Sequence, residues 1–537
     1  MSLDTKNVKK NGQKPKGQKG KEEICSKPEE GMPRKQRWSF YSRNDEYVVK
    51  KLREGKANAA TGTGWGFFDK YFIFLWITGF IDALDGVQGK GYSRKLVGIT
   101  KLILSYSTKI LLGLDSLNKV PALLFKEIAL LQLIGFTAIE IREGVCKRGK
   151  GKSQPIHKDT LGDFLDRLTD DEVEYIVSAA ASLLCKNKYI KGSTYILDST
   201  DLYISKVIEG AGTKKYTKSH YDRKTKQVIK QEEIRHGFKI IVLMEAESKI
   251  IVAAKFAKLN EHESSYTLDL IEQARKNIGT NRIKLLLIDN AFMDGKTLWK
   301  LKKDYKIHFI VRVRTTMNIA ADARSFRKIS TSDDKNIIRA CRGKGKKKIE
   351  VIGIHSLTSY DQYGDENHSR MILRKDFKAN PLNVVMVTCW DGQEYKSGKE
   401  KVFITSLDVS SPLDVIDSYD LRSLIENCCF RELKQGWHIN KYPKKTTSAI
   451  RSHSMLTLAI FSLTSAFNSE KGQLQTQKGI RRLRDENMHS IHKVVIFADG
   501  FFAILDIEEL LIITRAPPLF FFRVDPVEVK KRFNLID

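Results

Sequence analysis

Apolar residues recur at three- and four-residue intervals through the first third of the chain. "VPALLFKEIALLQLIGFTAIEI" and "DTLGDFLDRL" carry that period, which predicts amphipathic helices from about residue 45 to 190. Thr169 and Glu172 form a T-x-x-E signature ahead of "VEYIVSAAASLL" and mark a helix start, because each side chain can satisfy a backbone N–H of the first turn. "YFIFLWITGFI" (71–81) is the longest apolar stretch and is flanked by Asp69, Lys70, Asp82 and Asp85. It falls well short of the ~20 residues a bilayer requires and reads as a buried helix.

After Tyr189 the rhythm shortens. "STYILDSTDLYIS" (193–205), "GFKIIVLMEA" (237–246) and "KIIVAAKFAK" (249–258) are apolar runs bounded by turn residues and read as strands. "SYTLDLIEQARKNI" is helical, "RIKLLLIDNAF" (282–292) a buried strand, "GKTLWKLKKDY" a helix and "HFIVRV" (308–313) a strand. This alternation predicts an α/β fold, with a mixed sheet and helices on its faces. Residues 315–400 have a different texture, with scattered short strands and the lysine run "RGKGKKKIE". The α/β rhythm resumes at "KVFITSL" (401–407). The pattern thus divides the chain into a disordered basic tail (1–40), a helical domain (41–190), an α/β core in two parts (191–314 and 401–470) separated by a β-rich insertion (315–400), and a C-terminal region (471–537).

Charge narrows the function. The chain carries 93 Lys+Arg against 64 Asp+Glu, a net charge of +29. A surplus of that size favours a polyanionic partner through counterion release, and nucleic acid is the usual one. Residues 1–37 alone hold eleven Lys/Arg. The runs "TKKYTKSHYDRKTKQVIK" (213–230), "RGKGKKK" and "KYPKKTT" (441–447) are candidate walls of a DNA channel. Seven cysteines without a CxxC pair argue against a disulfide framework or zinc knuckle and fit a reducing cytoplasm. The lysine-rich start lacks the apolar stretch of a secretory signal. The histidines show no HxH or HExxH spacing, which argues against zinc. Trp299 and Trp390 are candidates to stack on an extruded base, although a buried aromatic is the commoner role.

Three carboxylates stand out by position. Asp198 ends "YIL" on the first strand, Asp289 ends "LLLI" on the buried strand, and Glu426 lies in the amphipathic helix after the insertion. Acids at strand ends beside a helix carboxylate can converge on one sheet edge and hold divalent metals. Two such metals can activate an attacking hydroxyl and stabilise a leaving oxygen in phosphoryl transfer. Asp201 and Glu432 are rivals. Asp201 falls on the opposite face of an extended strand from Asp198, and Glu432 points about 240° around the helix from Glu426.

"YILDSTDLY", "LLLIDNAFMDGKTL" and "YDLRSLIENCCFRELKQGW" resemble the motifs of bacterial insertion-sequence DDE transposases, particularly the insertion sequence four group. The likeness spans roughly 120–470. It implies a ribonuclease H-like catalytic core interrupted by a β-rich domain, with Asp198, Asp289 and Glu426 as catalytic metal ligands for two Mg²⁺ (or Mn²⁺). It implies DNA phosphate contacts for Tyr419, Arg422 and Lys434; the alternative for Arg422 and Lys434 is a helix-surface ion pair with neighbouring acids. It further implies cleavage at terminal inverted repeats and strand transfer into target double-stranded DNA by a homodimer on paired ends, associated with the nucleoid. A catalytically inactive DNA-binding descendant and a hydrolytic nuclease on the same fold are the alternatives.

Two departures from the family pattern matter. "DNAF" places Asn290 and Ala291 where many relatives have Arg and Gly. Seven residues rather than six separate Glu426 from Lys434, which turns Lys434 about 80° away on a regular helix. A one-residue π-bulge near Cys428–Cys429 would restore the facing.

Overall fold

The computed structural model describes residues 43–65, 67–92, 96–145, 154–205, 208–222, 227–330, 337–342, 347–360, 376–389, 400–469, 493–516 and 525–535. The basic tail expected over 1–40 and Trp390 lie outside them.

The first part of the chain forms α1 (Asp45–Arg53), the strand β1 (Ala59–Thr63), α2 (Phe67–Ile77), α3 (Phe80–Leu84), α4 (Ile99–Leu111), α5 (Val120–Leu123), α6 (Ile128–Ile134), α7 (Ala138–Glu143), α8 (Lys158–Arg167) and α9 (Asp170–Lys186). The long apolar stretch becomes α2 and α3, broken at Gly79, whose φ of +82° is the left-handed conformation glycine adopts without penalty. α9 begins with the capping box read from Thr169 and Glu172: each side chain accepts the other residue's backbone N–H. The region is not all-helical, as its periodicity predicts. β1, "AATGT", shows no alternation of apolar and polar residues, so nothing local announces a strand.

The α/β part follows as β2 (Thr194–Ile204), β3 (Gly212–Asp222), β4 (Gln227–Glu245), β5 (Ile251–Lys258), α10 (Thr267–Ile278), β6 (Leu285–Ile288), α11 (Gly295–Lys303) and β7 (His308–Val313). Then come α12 (Asn318–Ile329), β8 (Ile337–Arg342), β9 (Lys347–Leu357), β10 (Leu382–Cys389), β11 (Lys401–Thr405) and α13 (Pro412–Asp420). Among the described residues these strands form one mixed sheet in the order β3-β4-β2-β6-β7-β11-β10-β9-β8, with β5 also paired to β4. β2, β6 and β7 run parallel, and β4 and β5 are antiparallel additions beside β2. The parallel centre is buried on both faces, which is why "LLLI" reads as continuous rather than alternating.

Two features of this sheet go beyond the periodicity. β4 is 19 residues long; its second half pairs with β2 and β5, while its first half forms a projecting hairpin with β3. The changeover falls at Gly237, where a Cβ would lie 2.0 Å from the Leu202 carbonyl oxygen. The strands expected to form a β-rich insertion hydrogen-bond into the core sheet itself, through β10 on β11 and β11 on β7. Unpaired strand edges attract partners, and β11 covers the exposed edge of β7.

After α13 the chain passes through a π-helical turn (Ile425–Phe430) into α14 (Arg431–Gln435) and then α15 (Thr447–Ser469). α15 is buried along nearly its whole length against α8, α9 and β5. The last described elements are β12 (Lys493–Ala498), β13 (Phe501–Asp506), α16 (Ile507–Ile513) and α17 (Pro526–Arg532). β12 pairs with both β1 and β13. This small sheet has its own core, where Val48 and Val49 of α1 meet Ile496, Leu505, Ile513 and Val529. No helix of the described residues is long and apolar enough to cross a membrane.

Candidate active site

Asp198 and Asp289 are brought together by strand register. Leu197 of β2 lies opposite Ile288 of the parallel neighbour β6, so the next residue on each strand is one of the two acids. Asp198 is still within β2 and is buried; Asp289 caps a short 3₁₀ turn (Asn290–Phe292) that leaves the strand. The altered residues Asn290 and Ala291 fall in that turn.

Glu426 arrives from the other side of the chain. α13 is anchored by Tyr419, which is nine-tenths buried, packs on Phe403 of β11 with ring centroids 4.9 Å apart, and donates its hydroxyl to the Ile288 carbonyl at 3.3 Å. Arg342 of β8 ties the outer sheet to the same helix through Asp417 and Asp420. Three residues on from Tyr419, Arg422 reaches into the site. Its Nη1 lies 2.8 Å from Asp198 and 3.5 Å from Asp289, and its Nη2 lies 2.8 Å from Glu426. All three acids expected to act together therefore meet on one guanidinium. Among the described residues no group of three His, Cys, Asp or Glu side chains is closed into a metal cage. The donor set nonetheless suits a hard divalent cation, since it is all carboxylate oxygen and already surrounds a positive charge.

Burial grades across the site. The Asp198 side chain is 11% exposed, Asp289 30% and Glu426 56%, so the cluster opens to solvent on the Glu426 side. Burial pushes the Asp198 carboxyl up to about 7, helped by the negative charges of Asp289 and Glu426 and opposed by the Ser199 N–H and Arg422.

The π-turn falls where the Glu426–Lys434 spacing calls for it. The Arg431 N–H bonds to the Glu426 carbonyl, five residues back rather than four. The extra residue turns α14 by about one residue's rotation, ~100°, against the ~80° by which Lys434 is out of register. Lys434 is exposed; crowding around its ammonium lowers its pKa, and the Asp201 carboxylate opposes that shift. Asp201 itself accepts the hydroxyls of Tyr203 and Tyr216 at 2.9 and 2.8 Å.

That pair of tyrosines belongs to a feature the sequence reading passed over. On one face of the β2–β4–β3 junction, the Arg235 guanidinium lies 4.6 Å from the Tyr203 ring and 5.2 Å from the Tyr216 ring, with the Lys214 ammonium 5.4 Å from Tyr216. The signal was present as Lys-x-Tyr and Glu-x-Arg alternation inside a basic run, which reads as a solvated face when taken alone. Of the other basic runs, "KYPKKTT" is partly spent internally: Lys444 pairs with Asp163 and Asp166 of α8. Trp299 packs at the edge of the main core beneath Lys303.

A mixed sheet with three acids gathered where the parallel pairing of β2 and β6 ends defines a class of carboxylate-centred sites on an α/β scaffold. Residues 190–463, just over half of the chain, match the family model described as the transposase DDE domain, and the chain belongs to that family. No curated protein matches the chain. Among solved structures, the chain is similar to a piggyBac transposase in a synaptic complex with hairpin DNA. The identity is 10% and the TM-score 0.33, over 91% of this chain and 85% of that one.

Proposed function

We propose that the protein is a DNA transposase of the insertion sequence four group, cutting DNA at transposon terminal inverted repeats and joining the freed ends to target DNA. The observation that carries this reading is the convergence of Asp198, Asp289 and Glu426 on the single guanidinium of Arg422. The strand order β5-β4-β2-β6-β7, antiparallel on one side of β2 and parallel on the other, supports a ribonuclease H-like core. The net charge of +29 supports double-stranded DNA as partner.

Asp198, Asp289 and Glu426 would hold two Mg²⁺, with Mn²⁺ able to substitute. When bound, these cations supply Lewis-acid activation of the attacking hydroxyl and stabilisation of the leaving 3′-oxygen. The protein then needs no covalent nucleophile. Arg422 and Lys434 hold backbone phosphates, Arg by its planar fork and Lys as a point charge. Tyr419 presents Arg422 to the site; a phosphate contact of its own would require its hydroxyl to leave Ile288. The Tyr203–Arg235–Tyr216 face, exposed at Tyr203, half-buried at the other two and with Arg235 paired to Glu233, adds an aromatic surface for DNA beside Lys434. The helical region within 41–190 is assigned to end binding, the C-terminal region 471–537 to pairing two copies on two ends, and the protein to the nucleoid in the cytoplasm.

Asp289→Asn is expected to abolish end cleavage in Mg²⁺ while retaining DNA binding, measured by strand-cleavage and mobility-shift assays on the same duplex. Wild-type cleavage by that variant would sink the assignment. Cleavage without strand-transfer products would indicate a hydrolytic nuclease instead, and DNA binding without cleavage by the wild type an inactive descendant.

A further inference from the structure

We propose that Arg422 is an exchangeable counterion: it neutralises the three carboxylates while the cation sites are empty and moves to a DNA phosphate when cations load, so that DNA and divalent cations bind cooperatively. The proposal rests on the reading of Asp198, Asp289 and Glu426 as cation ligands.

The geometry makes the two occupants mutually exclusive. Nη1 spans Asp198 and Asp289 while Nη2 holds Glu426, so the guanidinium fills the space between the carboxylates where a shared cation would sit. A guanidinium has donors only and does not shed its proton in proteins, so it cannot yield by deprotonation or turn into a ligand. It has to move. The open side of the cluster is the Glu426 side, where that carboxylate is more than half exposed. The Arg422 N–H bonds to the Tyr419 carbonyl at 2.9 Å, and the Tyr419 hydroxyl is pinned to the β6 backbone, so the arginine backbone stays beside the site while its head swings outward.

Charge gives the direction of the coupling. With all three acids ionised, as cation binding requires, they and Arg422 sum to −2. Two divalent cations on the same acids, with Arg422 still adjacent, give +2. That surplus is relieved by DNA phosphates, each carrying one negative charge. DNA therefore helps release the arginine and helps balance the cations, and by linkage the cations must tighten DNA binding by the same factor.

The test is Mn²⁺ binding to the full-length protein, read from the loss of the free Mn²⁺ electron paramagnetic resonance signal, with and without a generic DNA duplex and with a DNA-only control subtracted. Wild type, R422Q and R422K are compared, with circular dichroism confirming the fold. Without DNA, R422Q is expected to bind Mn²⁺ about 5- to 150-fold more tightly than wild type. R422K should shift in the same direction, because a compact ammonium keeps the charge but cannot span three carboxylates. DNA should tighten Mn²⁺ binding by wild type more than by R422Q, which keeps only the charge-balancing part of the effect. If R422K behaves as wild type while R422Q binds tightly, bare charge explains the effect and the exchange is overturned. Equal affinities in all three proteins, without a DNA effect on wild type, overturn the exchange while the acid site stands. No Mn²⁺ binding by any of the three, with or without DNA, overturns the site reading along with it. Should R422Q fail to fold, R422K against wild type carries the same comparison.

Discussion

The molecule handles buried charge in two opposite ways. Where the β2–β6 pairing ends, three acids surround one arginine in a cleft that opens to solvent. Between α4 and α15, Tyr106, Lys109 and His453 are sealed from water, and the bases are pushed toward their neutral forms. Burial lowers His453 to about 3, with the Lys109 charge adding to the effect. It lowers Lys109 to about 8, opposed by Asp115. Neutral His453 is satisfied at both ring nitrogens. A carbonyl only accepts, so Nε2 carries the proton toward the His438 oxygen at 3.2 Å, and Nδ1 accepts the Tyr106 hydroxyl at 2.8 Å. Lys109 rests over the Tyr106 ring at 5.4 Å. The internal cluster is complete without a ligand and acts as structure. The strand-end cluster keeps unsatisfied carboxylate capacity facing solvent, as a binding site requires.

Variants on the two sides should therefore separate activity from stability. The largest effect is expected from Glu426→Gln: a fall in end cleavage of about 10³-fold with little change in the urea midpoint, since more than half of the side chain faces solvent. A comparable loss of stability would erase the distinction. Deleting Cys428 should convert the π-turn to regular helix and rotate Lys434 away from the Glu426 face. A loss of about 10²-fold in cleavage is expected, with helix content by circular dichroism maintained or raised. Unchanged cleavage would show that the π-turn does not serve the site.

The internal cluster sets the next effect. The folded pKa of His453 lies below its ordinary 6.5, so its contribution to stability is complete above that value and is lost as pH falls toward 3. The expected slope is about 1.4 kcal/mol per pH unit within that window, and His453→Asn should flatten the acid limb of melting temperature against pH. An identical acid limb in the variant would move the effect to other groups. The smallest change is Tyr106→Phe, which removes the donor to Nδ1 and should cost about 1–2 kcal/mol in urea unfolding without altering cleavage.

How much of this was legible in the sequence differs residue by residue. Asp198 and Asp289 stood out because each ends an apolar run, and their adjacency then needed only parallel register between two strands. Glu426 needed the family spacing, because an acid on a helix surface is common. Lys434, one residue out of place against the family spacing, implied a π-turn once helical geometry was applied to it, and the turn is there. The ion pair of Arg422 with Glu426, four residues on, was legible as a helix-surface pair; its reach to Asp198 was not, since those residues lie 224 positions apart in the chain. β1 was hidden for a different reason: "AATGT" carries no pattern of its own and is a strand because β12 lies beside it. The β3–β4 hairpin was read as a run of charge because a projecting ribbon has little core face to impose alternation.

The sequence by itself determined the local matters: the period of most core helices and strands, where α9 is capped, a net charge suited to a polyanion, and which acids end apolar runs. Each follows from near-neighbour physics of periodicity, capping and net charge. The tertiary structure alone decided that β8, β9 and β10 extend the core sheet, that β1 and the late strands β12 and β13 meet in one small sheet, and that the acids share a single guanidinium. Those outcomes depend on which distant edges and charges find each other, and short-range pattern does not encode that choice.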